Sequence, residues 1–345
     1  MKKICLVADV PNWAFDIISQ ALKVKLAHKY DIRVVYFDAK KQSDVFFEFL
    51  EENDDCDLIH FFWRKVLLQF ETDVFKQKVK STGQTYEEYL KKKIAKISSG
   101  AYDFLGLTGE GVEDFARAIN NYCSNYCVTS KKLYDTYINN DKFKNPTAIV
   151  HDICNFEKFK PINLERFEKI DRDLVVGWVG NSLRKVDGID LKGFNTIIKP
   201  VINELINEGY QIKENYADRN EKWRSPEEMP EYYSEIDFCI CASIHEGTPL
   251  PILEAMSCGV PIITTDVGIV REVLGEKQKE FIIGDRKNGE NDEEIKKLLK
   301  AQIIKIYNDR ALLRELSNEN QNSVVAYDGG KILKEYENYF DKCMQ

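Results

Sequence analysis

The chain has no run of roughly 18 or more apolar residues, the length that a membrane-spanning helix needs. It also lacks a positive balance. Lys and Arg number 49 against 57 Asp and Glu, and the net charge of −8 argues against nucleic acid as the main partner. Zinc-ligand spacing is missing too. The nine cysteines are odd in number and scattered, and neither Cys123/Cys127 nor Cys239/Cys241 has a matching pair elsewhere. Buried thiols in a reducing cytoplasm are expected instead of a metal site. There is no P-loop and no Gly-x-Ser-x-Gly elbow, and the glycines of residues 106–111 have the wrong spacing for a dinucleotide fingerprint. The start of the chain, Met1 to Val7, superficially resembles a secretion signal. Asp9 and Pro11 break its apolar run at once, so a first β-strand is expected there.

What is present is a globular composition, 43% hydrophobic and 31% charged. At 345 residues the chain exceeds one ordinary core, so two domains are expected. Short apolar runs alternate with helical patterns. Ile4–Val7, Ile32–Phe37, Leu58–Trp63, Cys127–Thr129 and Ala148–Val150 read as strands, Ala14–Leu26 reads as a helix, and Ser130 caps another. Asn155–Arg172, charged and containing Pro161, reads as a linker. A second series follows: strand Leu174–Gly180, a helix from about Gly193 to Glu208, strand Ile236–Cys241, and a helical tail over Ala301–Tyr339. This order predicts α/β architecture with parallel sheets and crossover helices.

The most informative segment is residues 245–268, HEGTPLPILEAMSCGVPIITTDVG. It reads as a loop, a helix, a glycine stop and a short β-branched strand. Pro251 suits a first helical turn, and the amides and dipole of that turn suit an anion or sugar hydroxyls. Glu246 and Glu254 stand at the two ends of the loop–helix element, and Glu254 can accept two bonds from a vicinal diol. The earlier loop Gly180–Lys192 also ends a strand. Arg184 and Lys192 in it can straddle a diphosphate, or they are ordinary surface cations. Ligands bind outside the carboxyl ends of parallel strands, where both loops lie.

Residues 246–268 resemble the signature of the retaining GT-B glycosyltransferases of the large family four. Met229–Asp237, Val179–Gly193 and Phe156–Pro161 resemble the stretches around that signature. Together they cover about residues 151–275. The resemblance implies two Rossmann-like domains facing across a cleft: an acceptor-side domain over 1–160, a nucleotide-sugar domain over 161–328, and a last helix in 329–345 crossing back. It implies that Glu254 holds the ribose and that Glu246 positions the donor sugar. The backbone of Gly247, Thr248 and Leu250, with Pro249 between them, faces sugar and diphosphate, beside Asn181 and Ser182. Arg184 and Lys192 stabilise the leaving diphosphate. No metal and no cofactor is implied beyond the nucleotide-diphosphate-sugar substrate. The acceptor would be a hydroxyl of a glycan, a lipid-linked sugar or a protein.

Some features depart from the family pattern. Val10-Pro11-Asn12-Trp13-Ala14 lacks the usual Gly-Gly, although the backbone from Asn12 and Trp13 onward can still approach the diphosphate. The histidine that relatives place near the donor sugar is missing from Gly100–Asp103, which leaves Asp103 or Tyr102 as its replacement. His60 follows Asp57-Leu58-Ile59 like a weaker family motif, or is a structural histidine at a strand end. His245 adjoins Glu246 and is a candidate for lining the sugar pocket. His151 and Asp152 read as linker geometry. The Asp-x-Asp triplets at 55–57 and 171–173 precede their strands, unlike a metal-dependent GT-A site. Residues 64–96 are rich in lysine interleaved with apolar residues. They read as a peripheral membrane or acceptor contact at the inner face, or as an ordinary solvated helix face. Two rivals to transfer remain: a GT-B-fold nucleotide-sugar epimerase, and a catalytically silent glycosyltransferase-like subunit.

Overall fold

The structure is a computed structural model that describes residues 1–11, 13–38, 43–103, 111–287, 289–327 and 329–345. The chain forms two compact units, one of Met1–Ile153 with Gly330–Gln345, the other of Cys154–Gly329.

The first unit is built on a six-stranded parallel sheet. Its strands are β1 (Lys2–Ala8), β2 (Tyr30–Tyr36), β3 (Leu58–Phe61), β4 (Ile97–Ala101), β5 (Asn125–Val128) and β6 (Ala148–Ile149), in the order β2-β1-β3-β4-β5-β6. Ile4 to Ala8 is continuously buried, as a central strand covered on both faces must be. Ile4 stands beside Ile32 on one side and Leu58 on the other. The crossovers carry α1 (Ala14–Lys25), α2 (Phe46–Glu52), α3 (Asp73–Ser81), α4 (Tyr86–Ile94), α5 (Gly111–Tyr122) and α6 (Lys131–Ile138). Ser130 accepts the Leu133 N–H at 3.2 Å and caps α6.

The basic stretch 64–96 departs from the membrane-contact expectation. Its apolar residues Val66, Leu67, Phe70, Phe75, Val79 and Tyr89 are buried in this unit's own core. Its lysines meet acids of neighbouring segments. Lys78 bonds Glu48 at 2.6 Å, Lys92 bonds Asp54 at 2.9 Å, and buried Lys93 bonds Glu51 at 2.7 Å and Asp54 at 2.8 Å. The apolar face is therefore already covered and much of the charge is neutralised. Among the described residues no helix is long and apolar enough to cross a membrane.

The second unit begins earlier than the boundary expected after residue 160, because Cys154 and Phe159 are buried in its core and Phe156 packs against it. The expected linker is folded onto this unit. Buried Arg166 donates to the carbonyls of Ile236 at 2.8 Å and Asn163 at 2.7 Å. The sheet holds β7 (Leu174–Gly180), with the small hairpin strands β8 (Lys185–Val186) and β9 (Ile189–Asp190) outside it, a wide helical turn over Phe194–Ile198, α7 (Lys199–Asn207), then β10 (Ile212–Asp218), α8 (Met229–Glu235), β11 (Phe238–Cys241), α9 (Leu250–Ser257) and β12 (Ile262–Thr264). Its parallel order is β10-β7-β11-β12. Short helices α10 (Val270–Val273) and α11 (Glu276–Lys279) precede the long α12 (Asp292–Asn308) and α13 (Ala311–Val324).

The last helix, α14 (Gly329–Cys343), lies from Gly330 onward in the first unit. Its Ile332, Tyr336, Tyr339 and Phe340 are buried against Leu6, Ile18, Leu22 and Phe62. Glu335 accepts from the His151 backbone N–H at 3.0 Å and meets its Nδ1 at 2.8 Å. His151 thus anchors the helix, rather than serving only as linker geometry.

Candidate active site

In the second sheet β7 is flanked by β10 and β11, so the strand order reverses between β7 and β11. That switch point opens a crevice at the carboxyl ends of the two strands. The loops leaving it are residues 181–192 and 242–249. In the first loop, Asp187 (φ 51°) and Gly188 (φ 80°) form the turn of the β8–β9 hairpin. Asn181 Oδ1 accepts from the Leu183 amide at 3.0 Å and from Asn220 Nδ2 at 2.8 Å, and the Ser182 amide donates to Asp218 at 3.2 Å. Asp190 closes the loop. Its carboxylate accepts the amides of Lys192, Gly193, Asn195 and Thr196 at 2.8–3.2 Å. The start of the following helix is therefore filled by the protein's own anion.

Lys192 reaches from the end of this loop to the second loop, where Nζ bonds Glu246 Oε1. Both side chains are partly covered, 23% and 17% exposed. Burial is the largest influence on the Lys192 ammonium and lowers its pKa. The charge and hydrogen bond of Glu246 together outweigh it, so the pKa stands above the usual lysine value. Arg184 is exposed, and among the described residues no carboxylate pairs with it.

The second loop runs Glu246–Pro249 into α9, which starts at Leu250 without a side-chain cap and has Pro251 in its first turn. Gly268 packs against the loop from the other side. Its φ is +49°, and a Cβ there would lie 2.0 Å from the Gly247 carbonyl oxygen. The Ile269 amide donates to that same oxygen at 3.1 Å. Glu254, on α9, accepts the Tyr233 hydroxyl at 2.8 Å. Burial holds the Glu254 carboxyl above its usual range, with Tyr233 and the charge of Lys158 opposing. A small cavity of about 20 Å³ lies under the first turn of α9, lined by Trp178, Cys241, Ser243, Pro249 and Ile252 among others. A larger cavity, about 330 Å³, lies by Arg172, Tyr307 and Arg310 near the amino end of β7, lined by neither glutamate.

The second unit thus gathers Asn181, Ser182, Arg184, Lys192, Glu246, Gly247, Thr248, Pro249, Leu250 and Glu254 on its switch-point loops and α9, with half-buried His245 beside Glu246. The remaining candidates belong to the first unit. Asn12 lies outside the described residues. Trp13, 48% exposed, directly precedes α1 at the switch point between β1 and β3. Asp103 accepts from Arg64 Nη2 at 2.9 Å, so its carboxylate already has a cationic partner. His60 is a correction. It is fully enclosed among Phe62, Tyr339 and Phe340, its Nδ1 meets Ser98 Oγ at 2.9 Å, and burial pushes its pKa down to about 3. It is a neutral core histidine without access to a ligand.

Three positions escaped sequence reasoning: Tyr233 as the partner of Glu254, Asp190 as the cap, and Gly268 as the loop's backstop. All three lie within stretches already singled out, but only packing shows what they touch.

The comparisons with known proteins bear on the fold and on part of the second unit. Residues 221–321 match the family model of glycosyl transferases group 1, a span that takes in Glu246 and Glu254 but not Lys192. The chain is 44% identical over 50 residues to the O-antigen chain mannosyltransferase B of Escherichia coli, a stretch of 14% of this chain. It spans 13%, 28% and 35% of the lengths of the curated relatives it matches. Across whole chains, sucrose-phosphate synthase of Thermosynechococcus elongatus superposes with a TM-score of 0.65 at 16% identity, covering 99% of each chain. HepE of Anabaena, described in complex with UDP and glucose, gives 0.62 at 14% identity, covering 99% of this chain and 100% of its own. The fold is therefore that of the GT-B glycosyltransferases, and within the second unit residues 221–321 are similar to glycosyl transferases group 1.

Proposed function

We propose that this protein is a retaining glycosyltransferase of family four. It moves a hexosyl unit from a nucleoside-diphosphate sugar to a hydroxyl of a glycan, lipid-linked or protein acceptor. One observation carries the reading. The switch point of the second sheet brings Lys192 onto Glu246, in the loop that runs into the uncapped start of α9, about one turn before Glu254. A diphosphate is recognised by that combination of cation and helix amides, and a ribose diol by a carboxylate such as Glu254. Lys192 has three N–H donors, so it can hold Glu246 and a phosphate oxygen together. As the sugar departs, negative charge gathers on the diphosphate, and Lys192 with the exposed Arg184 stabilises it. A leaving-phosphate oxygen takes the acceptor's proton, so no further base is required. Two cations in this place make a metal-independent reaction the expectation. Nine unpaired thiols support a reducing, cytoplasmic setting.

The test begins with melting temperatures in the presence of UDP, GDP, ADP, CMP and their sugar conjugates. UDP comes first because HepE is described with it. One nucleotide series should raise the melting point, and its sugar conjugate should raise it further. With that donor, Lys192→Ala is expected to lower kcat by about 10²–10³-fold. Glu246→Gln should also lose turnover, EDTA should leave the rate unchanged, and NMR of the product should show the donor's anomeric configuration. Unchanged turnover in both variants would remove these residues from the active site.

A further inference from the structure

Arg286 lies between Gly284 and α12, outside every motif discussed so far, and is 4% exposed. A guanidinium has five N–H donors in a planar fork. Here all five are engaged. Nε donates to Asp292 Oδ1 at 2.6 Å, and Nη2 donates to Asp292 Oδ2 at 2.7 Å and to Thr196 Oγ1 at 3.0 Å. Nη1 donates to the backbone carbonyl of Asp190 at 2.6 Å and to that of Ala242 at 3.3 Å. The two carbonyls belong to different loops, the one that ends in Lys192 and the one that leads to Glu246. Gly193 lies in the same seam, where a Cβ would stand 2.6 Å from the Ala242 oxygen and 3.1 Å from Arg286 Nη1.

We propose that Arg286 is a positioning residue that ties the two switch-point loops together and so holds Lys192 against Glu246. Its planar bidentate pairing with Asp292 fixes the guanidinium plane, and that plane aims Nη1 at both carbonyls. Asp292 is itself held in the first turn of α12, where the helix dipole favours a carboxylate. A lysine at this position keeps the charge but has three donors in place of five and no planar fork, so it cannot reproduce the bidentate hold on Asp292 together with the bonds to both loops. The role in catalysis rests on the glycosyltransferase reading; the effect on the Lys192–Glu246 contact does not.

The experiment compares Arg286→Lys, Asp292→Asn and Glu246→Gln in the full chain. An amine-reactive reagent is applied across a pH series, and peptide mass spectrometry follows the labelling of Lys192. Removing the carboxylate charge in Glu246→Gln should lower the pKa of Lys192, since burial is then unopposed. Arg286→Lys should lower it in the same sense, and Asp292→Asn to a lesser extent. With the donor identified, Arg286→Lys should lose about a hundredfold in kcat, with nucleotide affinity little changed. Folded Arg286→Lys protein whose Lys192 titrates as in the wild type would overturn the proposal, whatever its melting temperature. If Arg286→Lys does not fold, Asp292→Asn decides on the same criterion. A Lys192 response to Arg286→Lys in a protein that binds no nucleotide would support the positioning role and sink the glycosyltransferase reading.

Discussion

At the scale of single residues, Glu254 is a buried carboxyl whose charge costs stability, a cost that the proposed role in binding a ribose would account for. Burial raises its folded pKa, and the Tyr233 hydroxyl offsets only part of that. For an acid whose folded pKa is raised, the contribution to stability is fully present below the unfolded pKa and is lost as pH rises through the folded pKa. Near pH 7 the ionised carboxylate is thus a net burden. Glu254→Gln removes the charge and keeps an oxygen for Tyr233. It should melt at a higher temperature than wild type at pH 7, and the gain should shrink as pH falls toward 4.5. On the proposed function, the same variant should bind nucleotide about 10- to 100-fold more weakly, from the loss of one charge-assisted bond. Melting curves from pH 4 to 8 with a titration at pH 7 check both. A constant destabilisation at every pH would mean that Glu254 braces α9 instead of burdening it. Lys192 presents the opposite case, held by its carboxylate above the usual lysine value and so charged throughout this range.

At the scale of elements, the site depends on a loop pressed against another loop. The turn between β12 and α10 places Gly268 against the Gly247 carbonyl, in a left-handed backbone and with no room for a methyl group. Gly268→Ala should therefore displace residues 246–248 and break the Lys192–Glu246 contact. The left-handed strain alone costs about 1–2 kcal/mol, and the displacement adds to it. The expected result is a lower melting point together with loss of the nucleotide-induced shift; a retained shift would show that the loop's position does not matter for binding. That dependence was only half legible in the sequence. Strands with unbroken apolar runs, such as Leu174–Gly180, were read with their correct ends because burial on both faces leaves a strong pattern. Two strands of the main sheets, and the short β8–β9 hairpin, carry no such pattern. The β10 sequence IKENYAD is polar because it forms the edge of its sheet, and the β4 sequence ISSGA is fully buried with little apolar volume. The candidate site residues stand out by type and spacing. Those that hold them in place do not, because Arg286 and Tyr233 act through contacts with segments distant in sequence, and the Asp190 carboxylate acts as a cap only once the loop has folded onto the amides of residues 192–196. The pairing of the lysines of 64–96 is hidden from the sequence for a like reason, since their partners Glu48 and Glu51 lie on α2 and Asp54 just after it.

At the scale of the whole molecule, the chain leaves the first unit at Ile153 and re-enters it at Gly330. The first unit therefore cannot complete its core until the second has been synthesised. Ile332, Tyr336, Tyr339 and Phe340 are each at most 1% exposed in that core, and Glu335 adds two bonds to His151. Burying one such side chain contributes about 1.5–3 kcal/mol. Four of them together rival the about 5–15 kcal/mol by which a folded domain is ordinarily stable. Truncation after Gly329 should therefore unfold the first unit or leave it aggregation-prone, through the apolar surface exposed on Leu6, Ile18, Leu22 and Phe62. The second unit keeps Lys192, Glu246 and Glu254 together with Tyr233, all of which precede Gly329. Hydrogen exchange on the truncated chain distinguishes the cases. Loss of protection in β1 and β3 with β7 and β11 still protected, and still responsive to nucleotide, is the expected pattern. Loss of protection in both sheets would mean that the second core depends on the first, and that the chain's return through α14 completes both units at once.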